Sequence, residues 1–193
     1  MVDLSKDGQG NAPLTIFGDV GPYFWSAPWI EALANANVTA GCGAGLYCPA
    51  VPVTRAQMAV FLLKSQGIKP PAATGPMFVD VPADYWAAAW IEELAAQGIT
   101  SGCSADSFCP EAVVTRAQMA VFLIKAKGIP LLAPTGTKFT DVPAGYWAAS
   151  WIEELAAQGI TSGCGANSFC PEGVVTRDQM AVFLVKAFNL PLP

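Results

Sequence analysis

A chain of 193 residues is long enough to bury a sizeable core, as one or two domains. It is 53% hydrophobic and 13% charged, with net charge −5, a pI near 4.6 and mean hydropathy +0.40. The acidic balance excludes nonspecific nucleic-acid binding, and no apolar run approaches the roughly 20 residues of a membrane-spanning helix.

In chain order, residues 1–15 form a polar, Gly-containing extension without the apolar core of a signal peptide. Either a leader has been removed or the chain is a module of a longer protein. The sequence then states one unit three times, at a period of 61 residues: Phe17, Phe78 and Phe139; Trp25, Trp86 and Trp147; Cys42, Cys103 and Cys164; Arg55, Arg116 and Arg177. Residues 90–103 and 151–164 are identical over 14 positions. A fixed period of this size marks a repeated supersecondary unit. The repeats occupy 16–69, 77–130 and 138–193, with Pro-containing linkers at 69–76 and 130–138. Every Trp, Cys and Arg falls in a repeat slot.

Each unit carries two helices. In the second repeat the first is expected over 85–97, with Trp86, Trp90, Ile91 and Leu94 at helical spacing. Gly98 then takes the left-handed position and Ile99 folds back onto Leu94, a Schellman ending. Asn37 stands in the same slot of the first repeat. The second helix begins at a capping box, Thr115-Arg116-Ala117-Gln118, repeated at Thr54–Gln57 and Thr176–Gln179. Behind it Met119, Phe122, Leu123 and Ala126 form one apolar stripe, and Val121 and Ile124 make the opposite side apolar too. A helix apolar nearly all round is buried in a bundle.

The six cysteines form three pairs of equal spacing, Cys42/Cys48, Cys103/Cys109 and Cys164/Cys170. Matched local pairs read as disulfides and an oxidising location. Metal binding is the rival reading, but zinc sites want closer cysteines or histidines, and the chain has no His. Each bridge would close a loop of about 7 residues, worth roughly 2 kcal/mol.

An open stack of repeats needs polar end caps, and the last repeat is as apolar as the middle one. An all-α fold is therefore expected, with the three helix-loop-helix repeats closed into a pseudo-threefold bundle around the Thr-capped helices.

The order F-x-D-V, Y-W, W-I, G-I-T, F-x-P and V-T-R-A, followed by an apolar helix, closely resembles the S-layer homology domain in its usual set of three. The resemblance covers about residues 16–190. It implies an all-α, three-pronged pseudo-threefold fold and a role in noncovalent attachment to the cell envelope. It also implies an extracellular or cell-surface location and, as ligand, a secondary cell-wall polymer, often carrying acidic pyruvyl groups, bound in grooves between repeats. The ligand-binding candidates it points to are Arg55, Arg116 and Arg177; Asp19, Asp80 and Asp141; Trp25, Trp86 and Trp147; and Gln57, Gln118 and Gln179. Two departures stand out: Gln replaces the family's Glu at the end of the motif, and Cys48, Cys109 and Cys170 replace a residue that is often basic.

The residues also carry plainer readings. Trp86 and Trp90 suit a core as well as a sugar platform, Asp80 suits a turn cap, and the capping-box residues need only start a helix. Arg116 in the first helical turn opposes the helix dipole. Either it pairs with a carboxylate such as Asp80 or Glu93 of a neighbouring repeat, or it joins the helix N-terminus in an anion site. An envelope-glycan-binding module is the favoured function. The alternative is an extracellular assembly protein whose repeats contact copies of itself or other surface-layer proteins. Catalysis, cofactors and metals are not expected: there is no His and no phosphate loop, and Glu92-Glu93 and Glu153-Glu154 point different ways from one helix.

Overall fold

The computed structural model describes residues 16–193; the N-terminal extension lies outside the described residues. Six helices follow in order: α1 (Ala27–Asn35), α2 (Arg55–Ser65), α3 (Ala88–Ala96), α4 (Arg116–Ala126), α5 (Ala149–Ala157) and α6 (Arg177–Phe188). With no strand among the described residues beyond isolated bridges, the fold is all-α.

The first helix of each unit starts later than the apolar spacing predicts. Residues 83–87 form turns, with the Tyr85 amide donating to Pro82 O and the Ala88 amide to Tyr85 O, so α3 begins at Ala88. The helix-like recurrence of aromatics across 85–90 therefore spans a turn and a helix. The ending is as expected: Gly98 has φ +70°, and the Ile99 amide reaches back to Leu94 O at 3.1 Å. Asn37, at φ +56°, serves α1 in the same way.

The second helices are buried nearly all round. Met58, Met119 and Met180 are fully buried, and Phe61, Phe122 and Phe183 nearly so. Each second helix packs against a first helix from a different repeat: α2 on α3, α4 on α5, and α6 on α1, with α2 also touching α6. The linkers are pinned to these pairs. Glu92 accepts from the amides of Thr74 and Gly75, and Glu153 from those of Thr135 and Gly136.

Hydrogen bonds between repeats run in a cycle. The Val53 amide donates to Val175 O, Val175 to Val114 O, and Val114 to Val53 O, each at 2.9 Å, and all three valines are fully buried. Next to them, the first two amides of each second helix donate to the loop of another repeat. Arg55 and Ala56 reach Ala112 O and Pro110 O, Arg116 and Ala117 reach Gly173 O and Pro171 O, and Arg177 and Asp178 reach Val51 O and Pro49 O. Helix starts leave such amides unpaired unless something outside the helix accepts from them, and here the neighbouring repeat does.

The junction of the third repeat with the first has one extra bond. Tyr47 stands where the other repeats have Phe108 and Phe169, and its buried hydroxyl donates to Arg177 O at 2.8 Å. No linker joins these two repeats directly. Tyr47→Phe copies the other repeats and removes only this hydroxyl. The loss of about 1 kcal/mol should lower the melting temperature by about 2–4 °C, read by differential scanning calorimetry.

Candidate binding grooves

The loop between the two helices of each repeat is held by three devices. The disulfides close within repeats, Cys42–Cys48, Cys103–Cys109 and Cys164–Cys170, as the spacing predicts. The Asp of the F-x-D-V stretch grips the loop from below. Asp80 Oδ1 accepts from the Phe108 amide and Oδ2 from the Cys109 amide at 2.8 and 2.7 Å, and Asp19 and Asp141 repeat the grip. Gly102, at φ +98°, allows a chain approach so close that an added Cβ would lie 2.5 Å from Ser107 O.

Burial by itself would raise the pKa of Asp19 and Asp141. The loop amides, with Arg177 or Arg116 nearby, outweigh it and hold both below the ordinary 3.8. A carboxyl depressed on folding adds stability that is fully present above its ordinary pKa and is lost as pH falls through the folded value. Melting temperature should therefore hold steady down to about pH 4 and fall below it, and Asp19→Asn should shrink that fall. A melting profile unchanged by Asp19→Asn would rule out the grip as its source.

The gripped loop presents a carbonyl and a ring to an arginine from another repeat. Arg55 Nε donates to Phe108 O, Arg116 Nε to Phe169 O, and Arg177 Nε to Tyr47 O, each at 2.7 Å. Each guanidinium lies between two rings. Arg55 sits 4.7 Å from Phe108 and 5.5 Å from Phe122, Arg116 4.8 and 5.5 Å from Phe169 and Phe183, and Arg177 4.7 and 5.3 Å from Tyr47 and Phe61. Desolvation lowers all three arginine pKa values, with Asp80, Asp141 or Asp19 partly offsetting it. The partner that spacing could not supply is thus a backbone carbonyl with aromatic faces, which accounts for a cation at a helix start. In every guanidinium Nη2 is buried without a hydrogen-bond partner.

Above each arginine opens a groove. The groove on α2 is lined by Gln57, Lys64, the loop from Val38 to Cys42, Arg177 and Trp86, with a volume of about 430 Å³. That on α4 has Gln118, Lys125, Arg55 and Trp147, in about 310 Å³. That on α6 has Gln179, Lys186, Arg116 and Trp25, in about 510 Å³. Each groove therefore draws on all three repeats. Trp25, Trp86 and Trp147 are 55–59% exposed and lean on Phe24, Tyr85 and Tyr146, whereas Trp29, Trp90 and Trp151 pack on the core.

Of the candidate residues, the structure brings the arginines, glutamines and exposed tryptophans together in the grooves. Asp19, Asp80 and Asp141 lie behind the loop and line none of the three. Lys64, Lys125 and Lys186 do line them. Their signal was present in the sequence, since lysine recurs in that slot at the same period of 61.

The S-layer homology domain family matches residues 16–59, 78–120 and 138–181, and the chain belongs to it. Among its relatives, the S-layer protein EA1 of Bacillus anthracis is 32% identical over 123 residues, covering 64% of this chain and 14% of the relative. The cellulosome-anchoring protein of Acetivibrio thermocellus is 29% identical over 158 residues, 80% of this chain and 35% of the relative. A cell surface protein of Thermoanaerobacter kivui is 30% identical over 196 aligned positions, 98% of this chain and 23% of the relative. The chain thus spans about a seventh to a third of these relatives' length. It is a cell-surface module with three tandem repeats.

Proposed function

We propose that this module is a non-catalytic anchor that binds an acidic cell-envelope glycan, of the secondary cell-wall polymer type, in the grooves between its repeats. In this reading the repeats close into a three-pronged pseudo-threefold bundle. The observation that carries the binding reading is the threefold recurrence of one lining: an arginine, a lysine, a glutamine and an exposed tryptophan in every groove. Two cations in a partly enclosed groove attract a carboxylate, while the indole face covers the apolar side of a sugar ring. One Arg and one Lys in each lining make these grooves local cationic sites on a protein of net charge −5. Closure is supported by the cyclic bonds of Val53, Val114 and Val175 and by α1 lying on α6.

Sedimentation with purified cell walls tests the binding reading. The protein should pellet with the walls, soluble wall glycan should release it, and the triple variant of Trp25, Trp86 and Trp147 to Ala should stay in the supernatant while keeping its fold. Wild-type protein that stays in the supernatant, or a triple variant that pellets like wild type, would overturn it. Filaments or oligomers without wall binding would favour the assembly reading.

A further inference from the structure

The groove on α6 differs from the other two at its floor and at both walls. At the floor, the capping box expected at Thr176–Gln179 does not form. Asp178 Oδ1 takes the Gln179 amide at 2.7 Å, and Thr176 makes no side-chain cap bond to the helix. Gln179 lines the groove all the same. The differences that change its shape lie in the walls.

The first is the residue whose carbonyl receives the opening amide of each second helix. It is Val51 for Arg177, Ala112 for Arg55 and Gly173 for Arg116. Val51 lines the α2 groove and Gly173 the α6 groove, whereas Ala112 lies outside the lining of the α4 groove. A Cβ added to Gly173 would meet Arg116 Cδ at 3.4 Å, so a side chain in this slot lies against the stem of the groove arginine. Arginine exposure follows the size of that side chain: 4% for Arg177 beside valine, 5% for Arg55 beside alanine and 7% for Arg116 beside glycine. The two grooves that the slot lines differ in the same sense, with about 430 Å³ beside Val51 and about 510 Å³ beside Gly173.

The second difference is in the tryptophan wall. Tyr85 donates to Glu111 and Tyr146 to Glu172. These bonds tie the neighbours of Trp86 and Trp147 to the loops that receive α2 and α4. Phe24 and Ala50 take the two slots beside Trp25. The Trp25 wall therefore lacks this tie to the loop that receives α6.

Resting on the glycan reading above, we propose that the slot of Val51 and Gly173 sets the size of sugar that each groove admits. The α6 groove takes an acidic sugar with a bulky substituent beside its carboxylate, such as a branch or the next sugar of a chain. Lys186, exposed in the lining, attracts the acid, and Trp25 covers the ring. The substituent occupies the space over Arg116 that Gly173 leaves empty. In the α2 groove Val51 fills that space, and only the unsubstituted acid fits. Gly173 and Val51 determine specificity by volume, without a bond to the ligand.

The test uses the full chain and two probes, methyl β-glucuronide and its 4-O-isopropyl ether, whose added group matches a valine side chain. Binding is followed by NMR at the indole N–H of Trp86 and of Trp25, which report the α2 and α6 grooves separately. At Trp25 the ether should bind at least as tightly as the parent. At Trp86 it should bind roughly 10-fold more weakly, the scale of one steric overlap. Gly173→Val should impose that loss at Trp25, and Val51→Gly should lift it at Trp86, each without changing affinity for the parent. Gly173 has no left-handed φ, and its added Cβ would lie 3.2 Å from Cys170 O, a crowding that Ala112 and Val51 accept in the matching loops. Should Gly173→Val still fail to fold, Val51→Gly decides alone. A purely structural role would move the melting temperature and leave the ratio of the two affinities unchanged. A ratio alike at both grooves, or one that neither exchange alters, overturns the proposal. Wall sedimentation run alongside separates the two readings. Retained pelleting with no size preference, or with neither probe bound, sinks only this inference, and loss of both pelleting and probe binding sinks both.

Discussion

Arg116→Ala is expected to lower the melting temperature by roughly 5–12 °C, at about 2–4 °C per kcal/mol for a chain of this size. The Nε bond to Phe169 O joins two repeats, and its loss leaves that buried carbonyl unpaired, costing about 1–3 kcal/mol. The stacked guanidinium between Phe169 and Phe183 adds about 0.5–2 kcal/mol. These contributions are not strictly additive, so a total near 3 kcal/mol is the expected scale. Arg116→Lys should rescue little, because an ammonium has neither the planar face nor the fixed fork of donors. Arg55→Ala and Arg177→Ala should behave alike, since each makes the same contacts with the repeat it faces. Melting unchanged in all three would mean that the arginines do not hold the junctions, and their burial would need another explanation.

Removing residues 131–193 is expected to abolish cooperative folding of what remains. The deletion strips α1 of α6 and α4 of α5, and leaves Arg116 without its carbonyl. Val53 would lose its acceptor Val175 O, and Val114 its donor Val175. Fully buried Met119, Leu123, Ile30 and Leu33 would be uncovered on the faces those helices leave. Burying a side chain of this kind is worth about 1.5–3 kcal/mol, so these four alone account for about 6–12 kcal/mol, comparable with the whole stability of an ordinary domain, about 5–15 kcal/mol. Circular dichroism melts and proton NMR dispersion of the 1–130 fragment provide the measurement. A fragment with a sharp transition and dispersed methyl signals would show that the repeats stack openly and fold one by one.

Much of this was legible in the sequence because it is local. The Schellman endings at Gly98 and Asn37, the capping boxes at Thr54 and Thr115, and the disulfide clips are all decided by residues within a few positions of each other. What was not legible is long-range or rests on a single exception. The spacing identified Arg116 as misplaced in its helix, yet its acceptor, Phe169 O, is 53 residues away and is a backbone atom that no residue type advertises. Asp80 has the chemistry of a ligand contact, and only the loop's path shows both its oxygens taken by amides. Asp178 reads as a routine substitution inside a motif. Its carboxylate takes the Gln179 amide that the threonine hydroxyl accepts in the other two boxes, a matter of side-chain geometry rather than pattern.

The bond from Tyr47 to Arg177 carries a topological consequence. The backbone hydrogen bonds and arginine contacts that tie the third repeat to the first match those between covalently consecutive repeats, with one hydroxyl bond added. The order in which the ribosome makes the units is then nearly irrelevant to the finished object. A circular permutant opened in the 69–76 linker, with a short tether joining the third repeat to the first, would keep every one of these contacts and move only the nick. Tyr47 thus marks a junction between repeats that is held without a peptide bond.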